Sequence, residues 1–146
     1  MRKVLLLLTL LFIGSCEVRF NDGTSIEDSS SVLISERKIT VWSNLLNQPE
    51  EKYYAYIYSE TCGYCRKIER EIKEFETNHV LYYVLFTEEI PVKAEREDLT
   101  NVEDVNSLFI LGTPTLFKIS NKKVEKCYIG FYEIQEHIKE VSYLIE

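Results

Sequence analysis

Two of the four cysteines in this 146-residue chain, Cys62 and Cys65, stand in C-x-x-C spacing at the start of a charged, helix-like run. Such a pair can begin a zinc site, close a structural disulfide or exchange electrons with a substrate. A zinc site needs further ligands at suitable spacing, but the other cysteines and histidines are scattered singly: Cys16, Cys127, His79 and His137. A disulfide across so short a loop removes little chain entropy. The spacing therefore favours thiol–disulfide exchange without a metal.

The pair is predicted to lie at a helix N-terminus, and this position gives the two sulfurs different roles. Free backbone N–H groups and the positive end of the helix dipole favour an anion there. We therefore expect Cys62 to be the attacking thiolate, with a lowered pKa. Cys65, one helical turn later, is expected to lie deeper and to resolve the mixed disulfide or close the internal one. The reactive group is then the Cys62–Cys65 disulfide, and no cofactor is expected.

Hydrophobic periodicity indicates the elements that position the cysteines. Segments 52–59 and 79–86 are apolar and aromatic on both parities, which is typical of strands buried on both faces. Between them, Ile68, Ile72 and Phe75 fall at helical spacing with charged residues between, which predicts an amphipathic helix. The cysteines thus lie at a strand-to-helix turn.

Further segments complete an α/β pattern. A short helical stretch around Trp42 precedes the first strand, and another is expected over 102–109. Segments 114–120 and 123–131 predict a hairpin, with Asn121 suited to the positive φ of its turn. With a terminal helix, the predicted order is α-β-α-β-α-β-β-α.

The terminal helix is predicted over 132–145, with an apolar stripe through Ile134, Ile138, Val141 and Ile145. His137 lies on the polar side of this stripe and His79 precedes a strand, so both are expected to be solvated. Cys127, on the last strand, is expected to be a small buried hydrophobe. A second-disulfide or mixed-disulfide role for it stays open, because it is an odd thiol outside the C-x-x-C pair.

A hydrophobic strand, a C-x-x-C that opens a helix and, about fifty residues later, Thr113-Pro114 ahead of a hairpin and a helix resemble the thioredoxin superfamily over residues 39–146. The resemblance implies a thioredoxin-like fold, with a central mixed β-sheet flanked by helices in a single domain. It also implies a cis-proline turn at Thr113-Pro114 against the cysteine pair. The backbone of that turn would pair with an extended substrate peptide as an added strand.

The same resemblance assigns tuning roles around the cysteines. Gly63 and Tyr64 occupy the positions that help to set redox poise in this superfamily, and a Gly-Tyr pair resembles that of bacterial periplasmic disulfide isomerases. Thioredoxin carries a buried acid six residues before its first cysteine, where this chain has Tyr56. Glu60 could replace that acid as a proton relay, or could raise the pKa of Cys62 by like-charge repulsion.

The first 16 residues have the features of an export signal. Arg2 and Lys3 precede an apolar run over 4–13, which is shorter than the roughly 20 residues that span a membrane and breaks at small residues, as a cleavable signal does. Residues 13–16, Ile-Gly-Ser-Cys, resemble the lipobox of bacterial lipoproteins. This implies a diacylglyceryl group on Cys16, whose two acyl chains suffice for anchoring. An ordinary secretory signal is the alternative, and it also implies export.

Composition sets the remaining domain boundaries. Residues 1–15 are the predicted signal, and 16–37, rich in Ser, Asp and Glu, are typical of a flexible tether. Residues 38–146 have the length of a single domain. Removing 1–15 takes away two basic residues and no acid, which leaves 15 basic and 24 acidic residues and changes the net charge from −7 to −9. This charge argues against a nucleic-acid partner and favours cationic partners.

These features predict an extracytoplasmic thiol–disulfide oxidoreductase, lipid-anchored to the bacterial cell membrane, that forms or reshuffles disulfides in exported cysteine-containing peptides. The lipoprotein signal, the small size and the sequence ETCGYC at 60–65 most resemble the bacteriocin transport accessory proteins, which are associated with export of antimicrobial peptides. This implies a peptide exporter or a membrane redox protein as partner. Two alternatives stay open, namely a reductase supplied with electrons by a membrane partner and a non-catalytic module of an exporter.

Overall fold

The computed structural model describes residues 37–144 of the chain. The predicted signal over 1–15, the predicted lipid attachment site Cys16 and the tether up to residue 36 lie outside the described residues, as does Ile145 of the predicted apolar stripe. Those expectations therefore stay predictions. Among residues 37–144, no helix combines the length and the apolar character needed to span a membrane.

A five-stranded mixed sheet forms the centre of the domain, with strand order β1-β3-β2-β4-β5. The strands are β1 (Lys38–Ile39), β2 (Lys52–Tyr58), β3 (Leu81–Leu85), β4 (Thr115–Ser120) and β5 (Lys123–Ile129). The first three run parallel to one another, whereas β4 is antiparallel to β2 and β5 is antiparallel to β4. The short edge strand β1 was not predicted, because two residues are too few to show a period.

Two helices cover one face of this sheet. α1 (Gly63–Glu76) connects the parallel strands β2 and β3, and α2 (Gly130–Ser142) follows β5. Two single-turn 3-10 helices, Trp42–Asn44 and Val105–Ser107, fall within the predicted short helical segments. The domain therefore has the predicted α/β architecture, a thioredoxin-like fold with a central mixed sheet.

Both faces of the central strands are buried, which explains why β2 and β3 lack polar alternation. One face packs under α1 and α2, in a core formed by Tyr54, Tyr56, Ile68, Ile72, Phe75, Leu81, Tyr83, Leu116, Ile134 and Ile138. The other face includes Ala55, Ile57, Phe117, Leu108 and Ile110, under the 3-10 helices and the long connection between β3 and β4. A register slip of one residue would exchange these faces. The packing therefore fixes the register of β2, and with it the position of the turn that carries the cysteines.

The hairpin of β4 and β5 turns at Asn121 and Lys122, whose φ angles are 51° and 62°. Two consecutive positive φ values are typical of a type I′ turn. The left-handed conformation predicted for Asn121 is confirmed. Lys122 shares it without a short polar side chain that would favour it.

The prediction that His137 is solvated is wrong. Its side chain is 6% exposed, its Nε2 atom lies 3.1 Å from the Tyr54 hydroxyl, and its ring stacks on Tyr128 with centroids 4.0 Å apart. His79 is half-buried, with its ring stacked on Phe75 at 4.1 Å. The buried side of α2 is wider than its aliphatic stripe, because aromatic residues of the sheet form a surface on which an imidazole also packs.

Candidate redox site

The turn between β2 and α1 brings Cys62 to the start of the helix. Its backbone is extended, with φ −77° and ψ 111°, so Cys62 is the N-cap of α1. Its N–H donates to the Ser59 carbonyl at 3.1 Å, and its sulfur accepts the backbone N–H of Cys65 at 3.0 Å. A sulfur at this position faces the free N–H groups of the first turn, which stabilise negative charge. This is the geometry that an attacking thiolate requires.

Cys62 and Cys65 form a disulfide, with Cα atoms 5.2 Å apart. Cys65 is 6% exposed, whereas Cys62 is only partly buried. A substrate thiolate therefore reaches the Cys62 sulfur first, and Cys65 becomes the leaving group of the internal disulfide. This asymmetry agrees with the predicted division between an attacking and a resolving cysteine.

Thr113 and Pro114 lie directly beside the pair. The peptide bond between them is cis, and the Thr113 carbonyl oxygen is 3.4 Å from the Cys62 sulfur. The Pro114 carbonyl accepts the N–H of Gly130 at 2.8 Å, which joins this turn to the start of α2. The starts of both helices thus meet at the cis-proline turn. The role of Thr113 and Pro114 in a substrate groove stays a prediction.

The two residues between the cysteines are exposed. Tyr64 is 53% exposed, and the ammonium group of Lys67 lies 5.2 Å from its ring centroid. A Cβ atom at Gly63 would meet no other atom within 4 Å, so this position faces open space. The predicted influence of Gly63 and Tyr64 on the redox potential stays a prediction.

An aromatic rim, formed by Tyr64, Phe131 and Tyr132, borders the cysteine pair. The Phe131 ring lies 6.2 Å from that of Tyr64 and 5.2 Å from that of Tyr132. Tyr132 is 73% exposed. Sequence reasoning missed Phe131 and Tyr132, because the hairpin and the cis-proline turn, and not chain proximity, bring the start of α2 to Tyr64. The available signal was a pair of adjacent aromatic residues directly after Gly130.

Behind Cys65 lies a cavity of about 160 Å³, lined in part by the rings of Tyr56, Tyr58 and Tyr83. The Tyr56 and Tyr58 rings are parallel, with centroids 6.0 Å apart. Tyr56 precedes Cys62 by six residues, and its buried hydroxyl has no hydrogen-bond partner in the described part of the chain. Burial raises the pKa of Tyr56 above its ordinary value. Its hydroxyl therefore stays protonated and can only donate or accept a hydrogen bond.

Two carboxylates line the same cavity. Glu60, the predicted substitute for the buried acid, is exposed, and its backbone carbonyl accepts a hydrogen bond from Arg66 at 3.0 Å. Glu69 lies one helical turn after Cys65, with Oε1 at 2.8 Å from the ammonium group of Lys73. Sequence reasoning missed Glu69, because one acidic residue in a charged helix gives no sign of facing a cavity.

Cys127 lies apart from the pair, partly buried against the core on the other face of the sheet. Burial raises the pKa of its thiol to about 12, although the nearby Arg96 guanidinium opposes this shift. A thiol with so high a pKa is a poor nucleophile near neutral pH. Over residues 37–144, no cluster of three or more His, Cys, Asp or Glu side chains is arranged to hold a metal ion.

The chain resembles solved structures of thioredoxins. Mitochondrial thioredoxin 3 from Saccharomyces cerevisiae, in its oxidised form, is 18% identical with a TM-score of 0.47, and the match covers 77% of this chain and 99% of that chain. Thioredoxin f2 from Chlamydomonas reinhardtii is 14% identical with a TM-score of 0.45, covering 73% of this chain and 94% of that chain. No protein-family model and no curated protein matches the chain.

The class of the protein follows from its own geometry. The strand order, the cysteine pair at the start of α1 and the cis-proline turn beside it occur together in one small domain. The protein is a thiol–disulfide oxidoreductase of thioredoxin-like fold, and its reactive group is the Cys62–Cys65 disulfide.

Proposed function

We propose that this protein forms or reshuffles disulfides in exported cysteine-containing peptides, outside the bacterial cell membrane to which Cys16 anchors it. One observation carries the proposal: the sulfur of the partly buried Cys62, at the N-cap of α1, is bonded to that of the buried Cys65. A peptide thiolate attacks the Cys62 sulfur and releases Cys65 as a thiolate. A second peptide thiolate then attacks the peptide sulfur of this mixed disulfide, which forms the peptide disulfide and releases Cys62. The peptide is oxidised and the protein is reduced, and a membrane redox protein is the proposed oxidant that restores it.

The surroundings of Cys62 suit an extended peptide. The cis-proline turn at Thr113-Pro114 places backbone groups beside the Cys62 sulfur, where a peptide can add as a strand. The aromatic rim offers exposed apolar area next to it, and such area contributes strongly to peptide contacts. A peptide held across both elements would present its cysteine to Cys62.

The sequence supports the location and the kind of substrate that we propose. The lipobox-like residues 13–16 support anchoring, and the resemblance of residues 60–65 to the bacteriocin transport accessory proteins supports an exported antimicrobial peptide as substrate. The net charge of −9 after removal of 1–15, which carry two basic residues and no acid, favours a cationic peptide. A peptide exporter is the proposed partner that delivers it.

The reduction potential of the cysteine pair tests the direction of electron flow. Protein without residues 1–16 would be equilibrated in glutathione buffers, and the dithiol fraction read by mass after alkylation. We expect a value of roughly −120 to −180 mV, the range of disulfide oxidants and isomerases. A value near about −270 mV, as in thioredoxin, would instead indicate a reductase and contradict the proposed direction.

Variants separate enzyme from binding module. Cys62→Ser should abolish oxidative folding of a small cationic two-cysteine peptide while the melting temperature stays unchanged. Retention of the effect in a Cys62→Ser, Cys65→Ser double variant would identify a non-catalytic module.

Mass spectrometry of membrane-derived protein should show an acylated Cys16 at the mature N-terminus, and an unmodified residue there would contradict anchoring.

A further inference from the structure

Each catalytic cycle leaves a negative charge on a sulfur that water hardly reaches. Cys65 leaves the internal disulfide as a thiolate, and in the reverse direction it must lose its proton before it attacks the Cys62 sulfur. Its side chain is 6% exposed, and an uncompensated charge in such a place is costly. Groups in the cavity behind Cys65 must therefore stabilise the thiolate and move the proton.

Tyr56 lines this cavity, and its buried hydroxyl has no hydrogen-bond partner in the described part of the chain. Tyr56 is 4% exposed, and a buried hydrogen-bond donor without an acceptor is rare in folded proteins. The missing acceptor is explained if it exists in only one redox state of the cysteine pair. A Cys65 thiolate is an acceptor of this kind, because the sulfur carries no charge in the disulfide.

Glu69 supplies a group that can carry the proton. It lies four residues after Cys65 on α1, a spacing that places both on one helix face, and both line the cavity. The Glu69 side chain is 52% exposed and is held by Lys73 at 2.8 Å. Glu69 thus lies between the cavity and bulk solvent.

We propose that Tyr56 and Glu69 manage the proton of Cys65. The Tyr56 hydroxyl donates a hydrogen bond to the Cys65 thiolate, and the Glu69 carboxylate exchanges the proton between Cys65 and solvent across the cavity. In resolution, Cys65 gives its proton to Glu69, its thiolate attacks the Cys62 sulfur of the mixed disulfide, and the substrate leaves as a thiolate. The electron pair of the broken bond goes with the substrate, which is thereby reduced. This inference rests on the proposed function of the cysteine pair.

The other ionisable groups of the cavity are otherwise engaged or less suitably placed. Tyr83 donates its hydroxyl to Glu76 at 2.8 Å, and the Arg66 guanidinium donates to the Glu60 carbonyl. Glu60 precedes Cys62 in the turn before α1 and is exposed, whereas Glu69 lies on α1 itself, four residues after Cys65. Glu69 is therefore the acidic residue of the cavity that shares a helix face with Cys65.

Two-phase kinetics with a chromogenic aryl disulfide would test this. Reduced protein mixed with one equivalent of dithiobis(nitrobenzoate) should release one thiolate when Cys62 attacks and a second when Cys65 resolves the mixed disulfide. The rate of the second release between pH 5 and 9 reports the apparent pKa of Cys65 and its limiting rate. Wild-type protein without a second release would contradict the proposed function itself.

The two variants have distinct expected signatures. Glu69→Gln should lower the apparent pKa of Cys65, because a repelling charge is lost, yet slow the second release at pH 7 by about tenfold, below the roughly 100- to 10,000-fold that a positioned acid or base can supply. Tyr56→Phe should raise that pKa and slow the second release, while the melting temperature stays the same or rises. The first release should be unchanged in both.

Matched controls keep the test specific. Glu74→Gln removes a carboxylate of the same helix outside this cavity, and Tyr58→Phe removes the neighbouring hydroxyl of the same strand. Both controls should stay within about twofold of wild type, since neither removes the acid or the donor assigned to Cys65. A faster second release in Glu69→Gln would mean that its charge acts only by repulsion and would overturn the proposal, as would an unchanged second release in Tyr56→Phe.

Discussion

The hydroxyl of Tyr54 lies 3.1 Å from Nε2 of His137, across the buried interface between β2 and α2. Burial lowers the pKa of His137 from its ordinary 6.5 to about 4, and the nearby Lys118, His79 and Lys126 act in the same direction against Glu125. The imidazole is therefore neutral in the folded protein near neutral pH. This pairing makes the contact of the last helix with the sheet sensitive to acid.

Stability should fall as the pH decreases from about 6.5 to about 4. In this window the unfolded chain binds a proton at His137 and the folded protein does not, so the free energy of unfolding rises with pH. At about 1.4 kcal/mol per pKa unit, the loss is on the order of 3 kcal/mol. Urea unfolding at several pH values measures the free energy of unfolding. His137→Gln should remove most of its dependence on pH in this window. A loss confined to pH below 4 would point to carboxylates instead.

Removal of Tyr132 should weaken substrate binding without slowing the chemistry. Tyr132 is 73% exposed and belongs to the aromatic rim, so its ring can contact a bound peptide. At roughly 0.5–1.5 kcal/mol for an aromatic contact, Tyr132→Ala should raise KM by about two- to tenfold at constant kcat. Tyr143→Ala, which removes an equally exposed tyrosine near the end of α2, is the control. An equal fall of kcat in Tyr132→Ala would contradict a binding role.

Cys127 should be dispensable for redox activity. Its raised pKa of about 12 and its position on the other face of the sheet separate it from Cys62. Cys127→Ala should therefore retain the reduction potential and the turnover of the wild type. In reduced wild-type protein at pH 7.5, iodoacetamide should label Cys62 at least about tenfold faster than Cys127, because only thiolates react. Comparable labelling rates would show that Cys127 is activated.

Lys122→Gly should stabilise the hairpin. Lys122 adopts a φ of 62°, which costs a residue with a Cβ roughly 1–2 kcal/mol, whereas glycine adopts it freely. Because glycine loses more conformational entropy on folding, part of this advantage is lost, and the free energy of unfolding should rise by about 0.5 kcal/mol. Chemical denaturation measures this gain, and Lys126→Gly within β5 should destabilise instead. A destabilised Lys122→Gly would mean that its contact with Asn47, at 3.2 Å, outweighs the backbone cost.

Much of the fold follows from local patterns. The strands β2 and β3 are apolar on both parities because both sheet faces are covered, and α1 carries an uninterrupted stripe through Ile68, Ile72 and Phe75. The N-cap position of Cys62 and the turn at Asn121 depend on neighbours in the chain. Such features leave a signal in the sequence because the interactions that cause them are short-range.

The features that escaped prediction depend on packing between distant segments. His137 is buried because Tyr54 and Tyr128 of the sheet accept an imidazole, and no residue beside it in the chain signals this. Likewise, Glu69 faces a cavity whose other walls belong to β2 and β3. A polar residue on a charged helix has no distinctive local pattern, so its partner across the fold decides its role.

The direction and register of β1 determine where the chain enters the domain relative to the cysteine pair. β1 runs parallel to β2, and the cysteine pair follows the carboxyl end of β2. The chain therefore enters the sheet at Lys38, which is level with Tyr56, two residues before the carboxyl end of β2. Residues ahead of Lys38 thus join the domain at an edge strand, in the half of the sheet that leads to the cysteine pair.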